Sequence, residues 1–115
     1  METVFVYGTL KAGHHNHYLL KRATYIGQAA VQGFRMFDFG GFPAAAPYTR
    51  VVRSIAGELY SIDRTTRKTL DRLEGVPTLY TAERVVTTSG VETLMYVINP
   101  SQVPIGCGVI AGGVW

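Results

Sequence analysis

A carboxylate placed where a helix stops is a candidate proton carrier, and this chain has one at Glu74, in the run Leu70-Asp71-Arg72-Leu73-Glu74-Gly75-Val76-Pro77. The helical apolar pattern ends there, Gly75 lets the backbone turn, and Pro77 blocks any resumption of the helix. The helix dipole leaves partial negative charge at that end and disfavours an ionised carboxylate by roughly 0.3–1 kcal/mol. Its proton affinity rises, which suits general acid–base work near neutral pH. A second candidate is Tyr7-Gly8-Thr9-Leu10, at the end of the first predicted strand. Successive backbone amides there can cradle a carboxylate or phosphate, although Gly8 serves equally as a plain turn residue. Neither the P-loop spacing nor the dinucleotide glycine pattern is present, so a nucleotide is not the favoured ligand.

The remaining polar clusters offer less. His14-His15-Asn16-His17 reads as a set of accessible loop histidines and not as a metal centre, because neighbouring loop residues seldom aim their imidazoles at one point. Cys107, between Gly106 and Gly108, reads as a small packed or loop residue without a base beside it. Asp63 is a helix cap, Asp71 lies within the helix, and Glu83 and Glu92 fall on the solvent side of a hairpin. Glu58 stands apart because its strand reads as central.

The elements that position these groups follow from periodicity and turn chemistry. Residues 3–7 form the first strand, and Asn16 caps a short helix carrying Tyr18, Leu19 and Leu20, with Gly27 interrupting the pattern. Residues 28–39 are extended with a bulge or bend at Gly33, residues 39–43 make a sharp turn, and residues 44–46 are extended before Pro47. Residues 51–62 carry apolar groups on both faces and read as a central strand. Asp63 caps a helix reaching Leu73, with Thr66, Leu70 and Leu73 on one side. Residues 80–88 and 91–99 make a hairpin around Ser89-Gly90, and the apolar tail packs back on the fold. Many short strands with two short helices give an α+β class, with a curved sheet able to close as a small mixed β-barrel.

Composition bounds the rest. The 115 residues suit one domain, residues 1–115, and 17% charged residues with 47% hydrophobic ones argue for a globular chain. The net charge is +3, and its densest basic group, residues 64–72, reads as a solvated helix face, without the aromatic-interleaved track of a nucleic-acid binder. With no secretion signal, no apolar run of membrane length and a lone cysteine, the expected setting is cytoplasmic, away from membrane and nucleic acid.

Four segments taken in order resemble the γ-glutamylcyclotransferase-like family, particularly its small bacterial members and the γ-glutamylamine cyclotransferase branch of AIG2-like proteins. They are Val6-Tyr7-Gly8-Thr9-Leu10-Lys11, Phe39-Gly40-Gly41-Phe42-Pro43, residues 70–77 with Tyr80, and Gly112-Gly113-Val114-Trp115. The resemblance implies a small β-barrel flanked by helices, with Tyr7, Gly8, Thr9 and Leu10 holding the γ-glutamyl part of a small-molecule substrate. It makes Glu74 the acid/base for an intramolecular cyclisation that forms 5-oxoproline and releases an amine, without a cofactor. Tyr80 and Tyr96 are further candidate substrate-binding residues, which core packing explains about as well. Relatives often carry arginine just after the tyrosine matching Tyr80, where this chain has Thr81. The alternative is a noncatalytic domain that uses the same pocket to bind an amino acid or carboxylate metabolite.

Overall fold

The computed structural model describes residues 1–48, 54–110 and 112–115. Among the described residues, eight strands and one α-helix are arranged as β1 (Glu2–Val6), β2 (Thr24–Val31), β3 (Phe34–Asp38), β4 (Pro43–Pro47), β5 (Ile55–Ile62), α1 (Arg64–Leu73), β6 (Tyr80–Val86), β7 (Glu92–Ile98) and β8 (Gly108–Val109). Single 3-10 turns occupy His17–Leu20 and Pro100–Gln102. The α+β class holds, and of the two short helices expected, the one after Asn16 is the 3-10 helix His17–Leu20 and the other is α1.

The larger sheet has the order β2-β5-β1-β7-β6, and the smaller one β4-β3-β8. The larger sheet is antiparallel except where β1 runs parallel to β7. Strand β1 is therefore central, as its Val and Phe content favours. Its alternation feeds two cores: Val4 and Val6 join Leu70 of α1, Tyr60 and Ile98 on one face, while Phe5 and Tyr7 join Met36, Ala45 and Met95 on the other. Strand β5 lies between β2 and β1, as its two apolar faces predict; the expected start of that strand, at residues 51–53, lies outside the described residues.

Among the described residues no ladder closes either sheet, so the expected barrel is met as two open sheets. Gly33 marks the change of sheet, since β2 belongs to the larger one and β3 to the smaller. What joins the two is side-chain chemistry. Strand β4 is an edge of the smaller sheet, and an edge strand carries backbone groups that need partners. Tyr7 Oη accepts from the Ala45 amide at 3.0 Å, and Tyr80 Oη donates to the Pro43 carbonyl at 3.2 Å. Alanine at positions 44, 45 and 46, all buried, lets β4 lie close against β7.

Local expectations fare unevenly. Asp63 caps α1 by accepting from the Thr66 amide at 2.7 Å, and that contact holds its carboxyl below the usual range. Strands β6 and β7 form the expected hairpin, and the tail packs back, with Ile110 donating to the Met36 carbonyl and Ile110 and Trp115 against the core. Gly27 does not interrupt a helix: it lies inside β2, which starts at Thr24, with a bulge between Tyr25 and Gly27, while Gly33 makes the expected bend between β2 and β3 at φ +94°. Thr24, Tyr25 and Ile26 are strand formers that draw β2 back by four residues. Leu73 is 42% exposed and does not complete the buried side of α1. No helix among the described residues is long and apolar enough to cross a membrane.

Candidate active site

Helix α1 ends in a hydrogen-bonded cap that fixes Glu74. Its amide donates to the Leu70 carbonyl at 2.9 Å, closing the last helical bond. Gly75, at φ +64°, then reverses the chain, so that its own amide reaches the Arg72 carbonyl at 3.2 Å and the Val76 amide reaches that of Asp71 at 3.0 Å. This pair of bonds is a Schellman cap, and its left-handed residue favours glycine. Glu74 is thereby held at the helix end, over a cavity of about 310 Å³.

Strand β1 delivers the opposite wall. At its end the chain turns, with the Lys11 amide on the Gly8 carbonyl at 3.0 Å. Asn16 grips the loop twice, its backbone amide on the Thr9 carbonyl at 3.0 Å and its Nδ2 on Thr9 Oγ1 at 2.9 Å. Glu58 steadies the far side by accepting from the Ala12 amide and from Tyr60 Oη, both at 2.9 Å. Glu58 therefore has a positional use and does not line the cavity. Among the described residues no acceptor takes the amides of Gly8, Thr9 or Leu10. Gly8 is also a spatial requirement, since a Cβ there would lie 2.7 Å from Pro43 Cγ.

All seven residues singled out from the sequence, Tyr7, Gly8, Thr9, Leu10, Glu74, Tyr80 and Tyr96, line this one cavity. Their parts differ. Each tyrosine hydroxyl is bonded within the protein: Tyr7 Oη donates to the Tyr96 carbonyl at 2.7 Å, Tyr80 Oη to Pro43, and Tyr96 Oη to Asp71 Oδ1 at 2.6 Å. The rings shape the wall while the hydroxyls brace it. Tyr7→Phe would strand the buried Ala45 amide and Tyr96 carbonyl, and is expected to lower the unfolding free energy by about 1–3 kcal/mol in a denaturant titration.

Electrostatically the site is built around Glu74. Burial pushes its carboxyl up to about 7. Desolvation is the cause, and it outweighs the helix-end effect read from the sequence. Burial also raises the phenols of Tyr7, Tyr80 and Tyr96, with the charge of Glu74 adding to each rise. Among the described residues no donor is bonded to the Glu74 carboxylate, and no unpartnered side-chain oxygen is sealed from solvent. The carboxylate thus faces the cavity and can exchange a proton with whatever sits there.

Several contributors escaped the sequence reading. Asn16, at the N-cap position of the 3-10 helix, makes no side-chain cap bond and holds Thr9 instead; the two lie seven positions apart in a loop, so no periodicity links them. Asp71 anchors both Tyr96 and Arg67 Nε, and Arg67 in turn pairs with Glu2 at 2.8 Å. Phe42 and Leu79 line the cavity from bends, and Pro43 from the first position of β4. Of the histidines, His17 bonds the Leu10 carbonyl and packs on Tyr60, whereas His15 borders the cavity.

Known proteins resemble this chain in sequence and in fold. The family model described as "Gamma-glutamyl cyclotransferase, AIG2-like" matches residues 4–115. The gamma-glutamylcyclotransferase family protein YtfP of Escherichia coli (strain K12) is 30% identical over 113 residues, spanning 97% of this chain and 94% of that protein. The gamma-L-glutamyl-butirosin B gamma-glutamyl cyclotransferase of Niallia circulans is 37% identical over 75 residues, 64% of this chain and 46% of that one. In fold, the crystal structure of an AIG2-like protein from Mus musculus superposes with a TM-score of 0.83 at 23% identity, covering 96% of this chain and 86% of the mouse chain. A match over nearly its whole length, on a fold shared with an AIG2-like crystal structure, makes this chain a member of the gamma-glutamyl cyclotransferase, AIG2-like family.

Proposed function

We propose that this enzyme cyclises a γ-glutamyl amine or small γ-glutamyl peptide to 5-oxoproline, with Glu74 as general acid and base and residues 1–115 acting as one cytoplasmic catalytic domain. The observation that carries the reading is the partly buried Glu74 carboxyl, raised to about 7, across one cavity from the amides of Gly8, Thr9 and Leu10, which no acceptor among the described residues takes.

The chemistry needs a proton carrier and an anion cradle. An α-ammonium has no lone pair, so the Glu74 carboxylate first takes a proton from it. The freed nitrogen attacks the γ-carbonyl carbon, forming the ring C–N bond and placing negative charge on the carbonyl oxygen. Glu74 gives the proton it holds to the leaving nitrogen, and its regenerated carboxylate takes the second proton from the attacking nitrogen and passes it to the departing amine, which leaves as the ammonium. The old C–N bond breaks, the carbonyl reforms, and the amine departs. Substrate and products contain the same atoms, and water is not consumed. With reference values of about 8 for an α-amine and 4.3 for glutamate, the first transfer would be uphill by about 5 kcal/mol. A carboxyl at about 7 brings that down to about 1 kcal/mol.

The loop amides offer donors to the two anionic groups of this reaction, the substrate α-carboxylate and the oxygen of the tetrahedral intermediate. Holding the chain folded over the loop also supplies proximity, which is sensitive to small displacements. Gly8→Ala must push the loop off Pro43, and kcat/KM for 5-oxoproline release is expected to fall by about 10²-fold. An unaltered rate in that variant would remove the loop from the site. The reaction itself is tested by incubating the protein with γ-glutamyl amines and dipeptides and detecting 5-oxoproline by mass spectrometry. No product across a broad panel, from folded protein, would overturn it.

A further inference from the structure

We infer that the amine released from the γ-glutamyl group carries an uncharged, apolar alkyl or aryl substituent, received at the cavity mouth by Phe42, Leu73 and Leu79. The inference rests on the cyclotransferase reading above and specifies its substrate class.

The cavity changes character from its floor to its mouth. Tyr7, Leu10, Tyr80 and Tyr96 in its wall are buried, whereas Phe42 and Leu79 are each 37% exposed and Leu73 is 42% exposed. Single exposed apolar residues need no explanation, but three large ones around one opening form a surface that a ligand would cover. Their positions are fixed. Leu73 is the last residue of α1, directly before Glu74. Leu79 is tied back by its amide to the Gly75 carbonyl at 2.9 Å. Phe42 packs against Phe39 with ring centroids 5.5 Å apart, and its carbonyl accepts from the Phe39 amide at 3.0 Å.

Reaction geometry directs the leaving group to this surface. The departing nitrogen must approach Glu74 to collect its proton, so its substituent begins beside the helix end where Leu73 and Leu79 flank Glu74. Among the described lining residues the only other exposed side chain is His15, and Glu74 is the only carboxylate, with no lysine or arginine present. A leaving group bearing its own carboxylate would meet that surface and the charge of Glu74 without a compensating cation, whereas an alkyl chain gains from covering the three side chains.

The test is a substrate series in which only the leaving group changes: γ-glutamyl methylamide, butylamide, hexylamide and benzylamide, with γ-glutamylglycine as the charged member. The expected result is a kcat/KM that climbs along the alkyl series by about threefold per methylene covered, with γ-glutamylglycine about tenfold or more below the butylamide. In Phe42→Ser and Leu79→Ser the ratio of hexylamide to methylamide rates should collapse towards one. Turnover that is flat along the series, or fastest with γ-glutamylglycine, would overturn the inference and leave the reaction standing. No 5-oxoproline from any member would overturn both.

Discussion

Glu74→Gln is expected to lose turnover by about 10²–10⁴-fold while keeping the fold and the affinity for a γ-glutamyl ligand. The amide matches the carboxylate in shape and occupies the same helix end, so the cavity, the Schellman cap and the loop opposite are unchanged in outline. What it removes is the ability to take a proton from the α-ammonium and return it to the leaving nitrogen. No other carboxylate among the described lining residues stands ready to substitute. Steady-state release of 5-oxoproline measures the loss, and equilibrium binding of the substrate to the variant shows that the site survives. A variant with near wild-type turnover would remove Glu74 from the mechanism.

The same substitution is expected to stabilise the protein above neutral pH. The Glu74 carboxyl titrates near 4.5 in its ordinary state and near 7 when folded, because burial disfavours its charge. Between those values the Glu74 carboxyl holds more proton in the folded chain than in the unfolded one, so its contribution to stability is greatest below about 4.5 and is lost as pH rises through about 7. The full loss is about 3 kcal/mol for a shift from 4.5 to about 7. Glutamine carries no charge to bury. Glu74→Gln should therefore unfold at higher denaturant than the wild type at pH 8, by up to about 3 kcal/mol, with the difference vanishing near pH 4.5. Equal stability at pH 8 would mean that the carboxylate is not held in a desolvating site. Activity and stability would then pull in opposite directions at one residue, as is common where a site holds a strained or desolvated group.

Much of this site was legible in the sequence because its fixed points are local. Gly75 and Pro77 announce the end of α1 within three residues of Glu74, and the Schellman bonds carry out what they announce. Asp63 declares the start of the helix in the same way, and Gly90 declares the hairpin. The joints between distant segments carry no such local signal. Tyr7 and Tyr96 are 89 positions apart, and their hydrogen bond has no spacing that could reveal it. The bond from Tyr80 to Pro43 is equally remote, so short strands and glycine bends that suit a closed barrel do not reveal that the strands divide into two sheets bridged by hydroxyls. Asn16 is half legible for a related reason: it stands at the N-cap position of the 3-10 helix His17–Leu20 as its type suggests, but only the tertiary course of the loop sets its side chain against Thr9. The cause of the raised Glu74 carboxyl was half legible. A helix end can be read from the chain, but the burial that dominates is a property of the assembled cavity.

The pH dependence of kcat/KM, measured alongside a direct titration of the Glu74 carboxyl by NMR, tests the central claim most closely. A bell is expected, rising with unit slope to an inflection near 7 that coincides with the titration of Glu74 and falling again near 8 as the substrate α-ammonium loses its proton. The rising limb should be absent from any residual activity of Glu74→Gln. A rate independent of pH across 7, or a limb that persists in the variant, would contradict Glu74 as the proton carrier.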